Sequence, residues 1–502
     1  MTYPQQPTRP TKPGYPEQPG HPVEPGYHTQ PMQPAQPMQP TQQLPQVPPP
    51  PGLRNHAPAQ HGPAGPGMRA PGVGAPGTAA PGMGVTPVGP ATPEAPAAPK
   101  KPGRDRYFDV LRSLALVRVV IYHLFGWAWL TILFPSMGVM FALAGALMAR
   151  SLKRPAWGVI RGRIRRLLPP MWAFSAVALF LLFYGGWNVS KDPDHGGTWG
   201  LVSMVNYVFP IGAPPFPWHI GDKAGLLEDT WPAQAAGPLW YLRAYLWFVI
   251  ASPLLLWAFR RVPWATLFAP LALTAVLATE IVKIPGETGN AVSDFAVYGS
   301  CWVLGMAHQE GVLARVPRYV AVSVSALIMA FGLWWASGHL GPDGWDLNDI
   351  PLAQAAWSFG FVVILFQYSP SWQELPGRLK RWDKLITLSN NRAVTIYLWH
   401  NLLIMATVPL IDLAYDLPFM EDEQWSSALD TTYMLWMTVL VWPLIGLMVM
   451  AVGWIEDIAA KRSPRLWPDG SKPSKPRDSA GKAAPKARRA APRGGGGGSH
   501  RG

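Results

Sequence analysis

The sequence predicts an all-α polytopic membrane protein, with about ten transmembrane helices between two disordered arms. Three observations carry that prediction. Ten apolar runs alternate with polar loops in the middle of the chain, the loops alternate in charge, and both ends are built from residues that cannot form a core.

The N-terminal arm, residues 1–103, holds 29 of the 58 prolines. Pro4, Pro7, Pro10, Pro13, Pro16, Pro19, Pro22 and Pro25 recur every third residue. That is the period of polyproline II, so their rings line one face of an extended, solvated helix. Such a segment has almost nothing apolar to bury and cannot offset its ordering entropy, so it is expected to be a disordered cytoplasmic arm. Docking of a proline-recognising partner is the other role this composition allows. No apolar run follows the first residues, which argues against a signal peptide.

The membrane domain is expected over residues 104–460. Its apolar runs lie near 107–127, 131–149, 168–186, 239–259, 264–282, 292–310, 318–337, 351–368, 387–411 and 433–455. Each approaches the roughly 20 residues needed to cross a bilayer core of about 30 Å. Loop charge tests the count independently, because cytoplasmic loops are enriched in Lys and Arg. With the N-terminus inside, the inner segments carry Arg104 and Arg106, the arginines of 154–166, Arg260 and Arg261, Arg315 and Arg318, and Arg378 to Lys384. The outer loops lean acidic, with Asp192, Asp194, Asp229, Asp343, Asp346, Asp349, Glu421, Asp422 and Glu423. An even number of spans keeps the basic tail inside, so ten is favoured over nine or eleven, with both termini cytoplasmic.

The C-terminal arm, residues 461–502, is Gly-rich and carries twelve basic residues against Asp469 and Asp478. Most of the formal charge of +13 therefore belongs to this tail. A flexible basic segment after a membrane span suits anionic lipid head groups, and the charge does not argue for nucleic acid. Cys301 is the single cysteine, which excludes a disulfide framework and a multi-cysteine metal site. No metal and no bound cofactor are expected.

Ionisable residues inside a bilayer are functional candidates by default. The first run contains Asp109, Arg112 and His123. Arg112 and His123 are eleven residues apart, which returns to one helix face within about 20° and separates them by about 16 Å along the axis. Asp109, one turn before Arg112, can pair with it. A snorkelling arginine and a buried structural histidine are the plainer alternative. Between runs two and three, the loop Arg161-Gly162-Arg163-Ile164-Arg165-Arg166 either enforces orientation or offers Arg163 and Arg166 as forked donors to phosphate. Tyr397-Leu398-Trp399-His400 places a second histidine inside the ninth run, with a structural or substrate-contacting role. The outer stretch 188–237, with Trp199, Trp218, His219 and Trp231, suits sugar stacking or an interfacial aromatic belt.

Read together, these motifs resemble the acyltransferase-3 family of bacterial integral membrane acyltransferases. Asp109-x-x-Arg112 followed by His123 is similar to the family's first helix. Phe141-Ala142-Leu143-Ala144-Gly145-Ala146-Leu147 resembles its second-helix Phe-Phe-x-x-Ser-Gly-x-Leu, with Ala144 in place of serine. Arg163-x-x-Arg166-x-x-Pro169, Pro238-Leu239-Trp240-Tyr241-Leu242 and Tyr397-Leu398-Trp399-His400 follow in family order. Tyr245 stands where many members carry a glutamate. The resemblance implies an acyl-CoA donor, commonly acetyl-CoA, and a carbohydrate or related hydroxyl as acceptor at the outer face of the bacterial plasma membrane. It implies His123 as general base or acyl carrier, Arg112 and Asp109 beside it in catalysis, Arg163 and Arg166 at the donor, and Trp240, Tyr397 and His400 at the acceptor or in support. A transporter or flippase is the rival from another class. No repeat between the two halves of the core supports it, and the arginines gather at one face.

Overall fold

The structure is a computed structural model that describes residues 105–192, 197–220, 227 and 229–468. The expected N-terminal arm, and all of the expected C-terminal arm beyond Pro468, lie outside the described residues. Among the described residues there is no β-strand; the fold is all-α.

A long helix occupies each of the ten apolar runs. In chain order the helices are α1 (Arg106–Phe125), the short α2 (Trp129–Leu133), α3 (Ser136–Ser151), α4 (Ala156–Tyr184), the short α5 (Gly197–Ser203) and α6 (Trp231–Ala236), then α7 (Leu239–Arg261), α8 (Pro263–Ala278) and α9 (Gly286–Gln309). They continue as α10 (Arg318–Ser337), α11 (Pro351–Gln367), the short α12 (Asp383–Asn391), α13 (Ala393–Tyr415), α14 (Glu423–Val452) and the short α15 (Trp454–Ala459). By length and composition alone, six helical stretches can cross a membrane: 129–151, 156–184, 231–261, 318–337, 393–415 and 423–452; α8 and α11 are shorter apolar helices. The two long helices that miss this criterion are α1 and α9. Both carry charge, and residues Ala296–Ala307 of α9 are buried without interruption.

Backbone approach between α3 and α9 sets the centre of the bundle. A Cβ on Gly145 would stand 2.1 Å from the carbonyl oxygen of Trp302, and one on Gly305 would stand 1.9 Å from that of Ala142. The two helices pack backbone to backbone, as membrane helices do where small residues face each other. This gives the glycine of the second-helix motif a packing reason.

Two expected boundaries are corrected. The arginines of 161–166 are not a loop: they occupy the second and third turns of α4, which begins at Ala156 and runs on through Pro169 and Pro170. The ninth run is not one helix from 387 to 411. It breaks at Arg392, whose φ of −117° is non-helical, so α12 ends and α13 starts in a new direction. At the break Asn390, Asn391 and Arg392 are bonded to Arg112, Arg462 and Asp457 of other elements.

Candidate active site

The site is organised along α1. Asp105 caps its start, accepting from the Tyr107 N–H at 3.0 Å. Gly126 ends it in the left-handed region at φ 64°, returning its N–H to Tyr122. Between these caps the helix carries both candidate groups of the first run.

At the C-terminal end, His123 meets His400 of α13, their ring centroids 5.0 Å apart. His400 is fully buried, and its Nδ1 lies 2.6 Å from the carbonyl oxygen of Tyr397. A carbonyl can only accept, so Nδ1 carries the hydrogen, and Nε2 is left with its lone pair. That Nε2 is buried and has no hydrogen-bond partner among the described residues. Beside it, Asn401 donates to the Gln234 carbonyl at 3.0 Å, while its own Oδ1 is buried without a partner. Aromatic rings wall this pair. Tyr122 stands edge-on to His123 at 5.2 Å, and Tyr397 lies 5.6 Å from His400 and 5.0 Å from Tyr241. Trp240 stacks on Tyr298 at 5.5 Å. Tyr122 in turn donates to Asp346 Oδ2 at 2.5 Å, with Arg118 over its ring at 4.6 Å, which ties this end of α1 to the loop before α11.

At the N-terminal end the chemistry is of another kind. Asp109 pairs with Arg106 at 2.7 Å and lies 3.9 Å from Arg112, so Arg106 is its closer partner. Arg112 instead donates to Asn390 Oδ1 at 2.9 Å. Asn390 is fixed in turn by donating to the carbonyl of Asp109, to Ser113 Oγ and to the carbonyl of Ile386, each at 2.8 Å. Arg106 also reaches the Asp383 carboxylate and Thr387 Oγ1. Helix α12 is thus laced onto the start of α1, and Asn390 orients Arg112. Sequence reasoning missed Asn390, because a polar residue at the edge of an apolar run looks like a boundary.

On α4, Arg163 reaches the Leu147 carbonyl at 3.5 Å and Ser151 Oγ at 3.3 Å, so it holds the C-terminal turn of α3. Arg166, one turn on, is exposed and makes no hydrogen bond among the described residues. Arg163, Arg165, Arg462 and Tyr245 are within electrostatic range of it. Tyr245, at the position where many members of the resembling family carry a carboxylate, packs its ring 5.9 Å from Trp302.

A second missed residue is Arg243, buried four positions inside α7. It pairs with Asp294 at 2.7 Å and Glu287 at 3.0 Å, both on α9. An arginine within an apolar run was the available signal. Its pairing explains how α9 carries Asp294 into the bundle, since a buried charge is tolerable only when compensated. In the 188–237 stretch, Trp231 is buried and so unavailable to a soluble sugar, whereas Trp199 and Trp218 are exposed.

No curated protein and no solved structure matches the chain. A family model described as an acyltransferase domain, that of the acyltransferase-3 family, matches residues 105–455 and takes in α1 to the first turn of α15. With most of the chain inside that match, the protein belongs to the acyltransferase-3 family of membrane acyltransferases.

Proposed function

We propose that this enzyme transfers an acyl group, in the simplest case acetyl, from cytoplasmic acyl-CoA to a hydroxyl of a carbohydrate or of an envelope or secreted glycoconjugate, with His123 as general base. The observation that carries the proposal is the pairing of His123 with His400 at one end of α1, while Arg112 stands at the other end beside an arginine group. In this reading all ten long helices cross the bacterial plasma membrane, both termini are cytoplasmic, and the arginine end faces the cytoplasm.

The donor enters at the arginine end, where Arg163 and Arg166 hold its phosphates by charge-assisted bonds. The pantetheine arm then follows α1 toward His123, a run of about 16 Å by helix rise. The acceptor hydroxyl approaches from the opposite side. His123 takes its proton as the oxygen attacks the thioester carbonyl. The C–S bond breaks, CoA leaves as thiolate, and the imidazolium returns the proton to that sulfur. His400 sits against His123 with its Nε2 lone pair free of other partners, and so stabilises the imidazolium while it lasts. Arg112, held by Asn390, positions the donor arm. Trp240 and Tyr397 support the aromatic wall on the acceptor side.

The test is incubation of purified protein with labelled acetyl-CoA and candidate glycans, for wild type and for His123→Ala. Loss of transfer in a folded variant is the expected result. Wild-type turnover by that variant would remove the assignment and favour transport without acyl transfer. Label trapped on His123 in the absence of acceptor would make the histidine an acyl carrier. Reporter fusions after Lys384 and after Glu423 should report opposite sides of the membrane; the same side for both would remove the ten-span topology.

A further inference from the structure

The arginine group does not end with the family's matched domain. Beyond residue 455, α15 packs on α4, and the chain then reverses. Lys461 makes the reversal in the left-handed region at φ 56°, a conformation that residues with side chains adopt reluctantly. The turn closes with the Arg462 N–H on the Asp457 carbonyl at 2.8 Å, a helix-ending bond that sends Arg462 back toward the bundle. There its Nε stands 3.1 Å from Asp457 Oδ1, and its Nη1 donates to Asn391 Oδ1 at 3.0 Å. Asn391 adjoins Asn390, the residue that orients Arg112.

Charge is unbalanced at this place. Arg163, Arg165, Arg166, Arg392 and Arg462 converge from α4, the α12–α13 break and the segment after α15. Facing them are Asp457, which Arg392 and Arg462 share, and Glu456, which caps α13 by accepting from Thr395 N and Oγ1. Arg165 Nε is buried with no hydrogen-bond partner, and Arg166 makes no hydrogen bond among the described residues. Unpaired guanidinium groups around a partly covered surface suit a polyphosphate, which supplies both charge and planar acceptor pairs.

We infer that Arg462 binds the phosphate groups of the acyl donor together with Arg165 and Arg166, so that the segment beyond the matched domain completes the donor site. The inference rests on the reading above that the donor is acyl-CoA. Asp457 stands at Nε of Arg462 and Asn391 accepts from its Nη1, and no hydrogen bond from Nη2 is seen among the described residues.

The experiment measures CoA binding to the full chain in detergent, by calorimetry, for wild type, Arg462→Gln and Asn391→Asp, with melting temperature followed in parallel. A charge-assisted hydrogen bond is worth enough to predict a loss of CoA affinity of about 10-fold or more in Arg462→Gln. Asn391→Asp keeps the arginine but sets a carboxylate against it, and should weaken CoA binding by a smaller factor without disturbing the turn. Turnover supported by acetyl-pantetheine, which has no phosphate, should be unchanged in both variants. Wild-type protein that binds no CoA would overturn the donor assignment and this inference with it. Wild-type protein that binds CoA, with folded variants binding it equally well, would overturn this inference alone. Equal losses with CoA and acetyl-pantetheine would do so too, by making Arg462 a structural residue.

Discussion

The two ends of α1 solve opposite problems. Its histidine end is aromatic: among the described residues His400 Nε2 and Asn401 Oδ1 are buried without a hydrogen-bond partner, near the rings of Tyr122, Tyr241 and Tyr397. Its arginine end is crowded with polar bonds, where Arg106, Asp109, Arg112 and Ser113 are tied to Asp383, Thr387, Ser389 and Asn390. An unsatisfied buried polar atom is a stability loss of about 1–3 kcal/mol. In the mechanism proposed above, a reacting partner supplies the missing bond. A satisfied network fixes geometry instead. The difference teaches where chemistry and where positioning belong on one helix.

The largest effect should therefore fall at the histidine end. His123→Ala should lower turnover by about 10² to 10⁴, the usual worth of general-base assistance, with little change in melting temperature. His400→Gln should lose less, because it removes the neighbour and leaves the base. Assays of both with saturating donor decide the order; a larger loss in His400→Gln would make His400 the base and reverse their roles.

Next is Asn390→Ala, which unseats Arg112 without removing its charge. Donor kcat/KM should fall about 10-fold, consistent with one charge-assisted bond, and the melting temperature should drop because α12 loses its tie to α1. Arg112→Lys should give a similar kinetic loss with no such drop, since lysine keeps the charge but lacks the planar fork. Kinetic parity of Arg112→Lys with wild type would leave Arg112 as a charge only.

That pair of variants also marks what the sequence could and could not tell. Arg112 and His123 were legible because helix periodicity is local, and an ionisable group in an apolar run announces itself. Their environments were not, because these come from residues nearly 280 positions away. Asn390 and His400 reach α1 only through the bundle. The apolar runs were found for the same local reason, yet the break at Arg392 was not, since the residue it pairs with there, Asp457 on α15, is 65 positions away. Gly145 matched a motif before its reason was visible; the carbonyl of Trp302 supplies that reason.

A smaller contrast separates the two arginines of one motif. Arg166→Ala should raise the donor KM by about 10-fold and leave the melting temperature unchanged, because the side chain is exposed and bonds to nothing among the described residues. Arg163→Ala should lower stability as well, by about 1 kcal/mol, because it also releases the Leu147 carbonyl and Ser151 at the end of α3. Equal melting temperatures for the two variants would show that Arg163 does not hold that helix end.

The smallest effect belongs to the loop that touches the histidine end. Asp346 accepts from Tyr122, the residue next to His123, and Asp349 follows one turn later with Asp343 nearby. Burial, then the charges of Asp346 and Asp343, push the Asp349 carboxyl up to about 6. A carboxyl raised in the folded state favours its protonated form. The stability it contributes is fully present below about pH 4, the ordinary carboxylate value, and is lost as pH rises through about 6. Asp349→Asn imitates the protonated form at every pH. The variant should thus melt at a higher temperature than wild type at pH 7.5 and at the same temperature at pH 4. Tyr122 should keep its bond to Asp346 in both proteins, so turnover at pH 7.5 should change less than in any variant above. A melting difference that is the same at both pH values would show that the Asp349 carboxyl ionises as it does in water, and that this loop does not report proton concentration to the end of the helix where His123 stands.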